Sequence, residues 1–151
     1  MRVVRILLAV CAFATLASGA SAQSLTGKWT AHYPMRIRNE NGQFSSDTGI
    51  AVVTLEQKGD SVSGTWLATN TPVPSKLRTF VGTFKDGTFT VTGSPVEAKI
   101  NRGGDEETIQ MITYFEAKLV GDKLVGTMHS DSMDGAVSSP PMEWTAERAK
   151  E

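Results

Sequence analysis

Cysteine is almost missing from this sequence of 151 residues; Cys11 is the only one. A single thiol excludes an intramolecular disulfide and a multi-thiolate metal centre. Histidine occurs twice, as His32 and His129. A metal site would need both plus a converging carboxylate, and no ligand-spacing motif joins them, so they read as ordinary surface histidines. The chain also lacks a basic stripe. Its 15 Lys and Arg stand against 16 Asp and Glu, a formal charge of −1, so nucleic acid is not an expected partner. No window carries a sustained helical period with capping signals. No Gly-x-Ser-x-Gly elbow and no Ser–His–Asp order occurs; Gly93-Ser94-Pro95 is a turn, because proline follows the serine and no glycine closes the motif. No catalytic residue, metal or cofactor is therefore expected. Asp131-Ser132-Met133-Asp134-Gly135 lacks the alternating ligands and closing Glu of a calcium loop and reads as a flexible loop. Asp105-Glu106-Glu107, after Gly103-Gly104, reads as a solvated hairpin tip.

Long apolar runs are equally scarce. The run from Ile6 through Leu16 is too short to span a bilayer. Arg2 and Arg5 precede it, and Ala20-Ser21-Ala22 follows with small residues at cleavage positions. The pattern is that of a secretory signal cut after Ala22, leaving residues 23–151 as one periplasmic or secreted domain. Cys11 lies within that leader, and Val10 stands where a lipobox requires a small residue. Cleavage leaves no cysteine, and 13 basic against 16 acidic residues, a formal charge of −3. No later stretch is long and apolar enough for a membrane span. About 130 residues suffice for one self-supporting core without covalent staples.

What the sequence does contain is period-two alternation, the signature of strands. Leu25, Trp29, Ala31 and Tyr33 share one face of the first run, opposite Lys28, Thr30 and His32. Ala51, Val53 and Leu55 follow the same rule, as do Val62, Gly64, Trp66 and Ala68, then Phe80, Gly82 and Phe84, then Phe89 and Val91. The longest run, Thr108 to Val120, keeps Ile109, Met111, Thr113, Phe115, Ala117 and Leu119 in register. Leu124, Gly126 and Met128 come next, and Met142, Trp144 and Ala146 close the chain. The phrase Gly59-Asp60-Ser61-Val62-Ser63-Gly64-Thr65 returns as Gly121-Asp122-Lys123-Leu124-Val125-Gly126-Thr127, and Asp86-Gly87 lies between the copies. Gly-Asp or Asp-Gly between alternating runs predicts tight hairpins, because glycine supplies the positive φ that the reversal demands. About eight strands result; Val96 to Ile100 reads equally as a ninth or as a turn of helix. The pattern predicts an all-β antiparallel up-and-down barrel, since closure removes exposed edges and interior glycines (Gly64, Gly82, Gly126) suit a tightly coiled sheet. Pro34 to Thr48, Thr69 to Leu77 (with Pro72 and Pro74) and Ser130 to Pro141 read as loops, which would form a mouth if they cluster at one end.

Gly27-Lys28-Trp29 at the start of the first strand, with Trp144-Thr145-Ala146-Glu147-Arg148 ending the last, resembles the structural signature of calycins, the lipocalins, fatty-acid-binding proteins and avidins. The whole mature chain is similar to small exported bacterial calycin-like domains of unassigned function. The resemblance implies that Gly27 and Trp29 lie at the closed end of a barrel, with Arg148 across the indole.

Eight antiparallel strands enclose either a filled core or room for one small ligand. Candidate lining residues are Trp66, Phe84, Phe89, Met111, Phe115 and Met128, whose aromatic and thioether surfaces serve a core and a cavity equally well. The expected function is non-catalytic binding of a small, largely apolar ligand. The alternative is a solid-cored module docking on another exported protein through its loops. A cavity of about 300 Å³ or more would favour the ligand reading, and a filled core the module.

Overall fold

The computed structural model describes residues 23–38, 41, 43–71 and 75–150. The proposed leader, residues 1–22, lies outside them, as do Asn39, Glu40, Gly42, Pro72 and Pro74. Nine strands run in sequence: β1 (Gly27–Arg38), β2 (Phe44–Lys58), β3 (Ser61–Ala68), β4 (Arg78–Lys85), β5 (Thr88–Gly93), β6 (Val96–Arg102), β7 (Asp105–Val120), β8 (Lys123–Ser132) and β9 (Met142–Arg148). Their order is β5-β4-β3-β2-β1-β9-β8-β7-β6, and β5 also pairs with β7. Eight antiparallel strands therefore close an up-and-down barrel, and β6 stands outside the cylinder. No helix among the described residues is long and apolar enough to cross a membrane.

Turn chemistry sets this order. Lys58 pairs with Ser61 and Val120 with Lys123, leaving Gly59-Asp60 and Gly121-Asp122 as two-residue turns. Gly59 and Gly121 have φ of 61° and 60°, so the repeated phrase makes the same reversal twice. Asp86 and Gly87, at φ 51° and 74°, form the related turn with both central residues left-handed. Interior glycines permit the bend between strands: a side chain at Gly64, Gly82 or Gly126 would overlap the carbonyl oxygen of Thr54, Thr90 or Glu116 respectively.

Because neighbouring strands alternate in direction, the three tight turns share one end with Leu25 and Arg148. Gln23 Nε2 ties the chain to that end, donating to Gly121 O at 3.2 Å and Asp122 Oδ1 at 3.1 Å. The far ends of β1, β3, β5 and β8 form the other end, the mouth. Leu25, Trp29, Leu55 and Leu124 are the fully buried large side chains, and all belong to the closed half. Trp144 extends that core through the Phe115 and Phe89 rings, at centroid distances of 5.5 and 6.1 Å. The free space among these residues is about 10 Å³, room for one water at most.

Two sequence expectations change, and one open alternative is resolved. Pro34 to Thr48 is not a loop: β1 and β2 continue as a paired extension, with Pro34 opposite Thr48 and Arg38 opposite Phe44. Ser45, Ser46, Asp47 and Thr48 are all exposed, so neither face is apolar and no alternation marks this part of the strand. Pro34 is tolerated because β9 pairs only with Trp29 to His32, leaving an edge beside it. Val96 to Ile100 is a strand, paired with the first half of β7. The segment after β8 is a hydrogen-bonded turn in place of the expected flexible loop: Ser132 N donates to Val137 O and Ser139 N to Ser130 O, both at 2.8 Å. The buried Ser132 hydroxyl donates to Asp134 Oδ1 at 2.5 Å and accepts from Val137 N at 2.8 Å.

Candidate functional site: a cup at the mouth of the barrel

Above the filled half the barrel is hollow. A cavity of about 230 Å³ opens at the mouth, walled by Tyr33, Met35, Trp66, Phe80, Phe115 and Met128. Trp66, Phe80 and Phe115 also cap the filled half, so they are the floor of the cup and the roof of the core. Tyr33 lies 5.2 Å from Trp66 and Trp66 lies 5.3 Å from Phe115, centroid to centroid, giving a continuous tilted aromatic wall. Tyr33 is the register partner of Gly49, and any side chain at Gly49 would overlap its ring. Glycine there lets the phenol lie against the β2 backbone.

Polar groups ring the opening. Thr79 and Ser94 share a hydroxyl hydrogen bond of 2.7 Å, and Thr113 and Ser130 one of 2.8 Å. Arg78 is the register partner of Trp66 and so points to the same face of the sheet, inward. No carboxylate among the described residues pairs with its guanidinium. Burial pushes the Tyr33 hydroxyl pKa up, and the nearby Arg78 charge partly offsets that rise. Beyond Arg78 the cup runs into an open groove of about 760 Å³ bordered by Lys76, Leu77, Glu97 and Lys99. Lys99 is held by Glu106 at 2.6 Å.

Of the residues named from sequence, Trp66, Phe115 and Met128 line the cup. Phe89 does not; it is buried in the filled half. Phe84 packs against the core from its margin, and Met111 lies between β6 and β8, opposite Val96 and Ser132; neither lines the cup. Sequence reasoning missed Tyr33, Met35, Phe80 and Arg78. Tyr33 and Phe80 already carried the inward alternation, which was the available signal. Arg78 begins β4 two residues before Phe80 and so shares its face, but the strand read from sequence starts at Phe80.

At the closed end, the Arg148 guanidinium carbon lies 4.6 Å from the Trp29 ring centroid, and Arg148 donates to Thr26 O at 3.2 Å and to Ser24 O. Trp29 Nε1 donates to Leu25 O at 2.8 Å. Gly27 opens β1 at φ 134°, a conformation side chains rarely adopt. His32 is exposed and His129 stacks on Tyr114 at 5.1 Å, beside Asp131 at 3.7 Å. No cluster among the described residues has the make-up of a metal site. No protein-family model, curated protein or solved structure matches this chain.

Proposed function

We propose that this chain is an exported, non-catalytic calycin-like barrel that binds a small, largely apolar ligand in the cup. The observation that carries the reading is the division of the interior: the closed half is filled, while the open half keeps about 230 Å³ behind aromatic walls. A stabilising core does not need that space, whereas a ligand site does. The Trp29–Arg148 floor supports the calycin-like reading, and the leader-like pattern of residues 1–22 supports export. The volume falls below the lower bound of about 300 Å³ for drug-sized pockets, so fatty acids and isoprenoids are poor candidates and compact molecules good ones.

The test is native mass spectrometry of protein purified without detergent, followed by tryptophan-fluorescence titration with small ring compounds. A retained mass, or a response lost in Trp66→Phe, is the expected result. A ligand-free mass and a flat titration would overturn the reading in favour of the docking module. That second reading draws on Met133, which is 63 % exposed although it is carried on the hydrogen-bonded turn after β8.

A further inference from the structure

At the rim of the cup one arginine shares the inward face of the sheet with the aromatic wall while remaining open to solvent. Inward positions of a small barrel are normally apolar, and an inward charge is stable only with a partner or with water. Arg78 is such an inward charge. Its cross-strand neighbour is Trp66, and the next inward residue below it on β4 is Phe80. Two hydroxyl pairs at the rim, Thr79 with Ser94 and Thr113 with Ser130, are engaged with each other. Lys99, on the far side of the groove, is held by Glu106. Arg78 thus lines an aromatic-walled cavity without a carboxylate partner among the described residues, and a guanidinium fork suits a planar two-oxygen anion.

Cavity size limits what such an anion can carry. A 150 Å³ apolar cavity accepts benzene, so by proportion the 230 Å³ cup takes an apolar body of roughly nine heavy atoms, with a charged group left at the rim. The ring-on-ring walls favour a flat apolar body. Resting on the reading of the cup as a binding site, we infer that its ligand is a small ring-bearing carboxylate, inserted ring first between Tyr33, Trp66 and Phe115, with its carboxylate held at the rim by Arg78. Arg78 then determines specificity, and the aromatic wall supplies the affinity common to charged and neutral analogues.

The test is an NMR titration of the isotope-labelled chain with phenylpropionate and with phenylpropionamide, its neutral isostere, following the indole N–H signals. Trp66 lines the cup and Trp29 does not, so the Trp66 signal is expected to move and the Trp29 signal to stay. The acid is expected to bind roughly tenfold tighter than the amide, the scale of one charge-assisted hydrogen bond at a half-open site. Arg78→Gln should abolish that preference by weakening acid binding more than amide binding; Arg78→Lys should restore part of it. Arg78 is exposed and has no ion-pair partner among the described residues, so neither variant threatens the fold. Equal affinities for acid and amide, or a preference that survives Arg78→Gln, would overturn the anion inference while sparing the cup. A Trp66 signal unmoved by either compound would instead sink the cup reading itself. Hexadecanoate binding as tightly as phenylpropionate would overturn the size limit.

Discussion

The Trp29 indole is held from two directions. Its ring N–H is satisfied by Leu25 O at 2.8 Å, and its face is covered by Arg148, whose guanidinium also reaches Thr26 O and Ser24 O. A cation over an indole contributes about 0.5–2 kcal/mol, and truncating a buried tryptophan costs about 3–5 kcal/mol. Urea unfolding of Trp29→Ala should therefore show a loss of that larger size. Arg148→Ala should lose about 1–3 kcal/mol, because two carbonyls lose their donor together with the stacked charge. Arg148→Lys should recover less than half, since an ammonium cannot cover the ring and reach both carbonyls as a fork does. An Arg148→Ala midpoint equal to wild type would show that the floor contact contributes nothing. Both partners were expected only through the resemblance to calycins, which Gly27-Lys28-Trp29 and the basic residue of the last strand carry.

The element that departs most from a simple barrel is the β6–β7 extension. β7 uses its second half, Tyr114 to Lys118, to close the cylinder against β5, and its first half, Asp105 to Met111, to carry β6. Outside the barrel β6 has a free edge, and its exposed Glu97, Lys99 and Asn101 oppose edge-to-edge pairing. The barrel should not need it. Replacing residues 94–112 with an Asn-Gly turn joins Gly93 to Thr113 where β5 and β7 already meet. The shortened chain is expected to keep a cooperative transition and its near-ultraviolet aromatic signal, losing roughly 1–3 kcal/mol with buried Ile109 and the Gln110 O···Met133 N bond. A lost aromatic signal would show that the extension is integral to the fold. In the sequence Val96 to Ile100 is a run of only five residues, too short for its alternation to separate strand from a turn of helix.

For the whole molecule, three exposed carboxylates tie stability to pH. Asp134 is held below the usual aspartate range by the Ser132 hydroxyl and then by the Ala136 N–H; Glu147 is lowered by Lys123, and Glu56 by Lys58. A carboxylate whose folded pKa is depressed contributes stability above its unfolded value, and that contribution is lost as pH falls through the folded value. The urea midpoint should therefore hold near neutrality and decline below the ordinary carboxylate range. Asp134→Asn should flatten part of the decline, and a parallel curve would show that the turn charge is not coupled to folding. Surface exposure keeps each effect small. At this scale the division between sequence and structure is clearest. Two-residue turns and alternating runs are local, so the residues alone determined which consecutive strands the tight turns join, that these pairs are antiparallel, and which side chains of each alternating run share a face. Gly64, Gly82 and Gly126 marked the bends for the same reason. Period-two alternation identifies a face but not a height along the barrel axis. Height depends on register and strand tilt, accumulated across eight pairings. Only the closed structure could therefore place Phe89 in the filled half, bring Tyr33 and Phe80 to the hollow one, and stand Arg78 beside Trp66 at the rim.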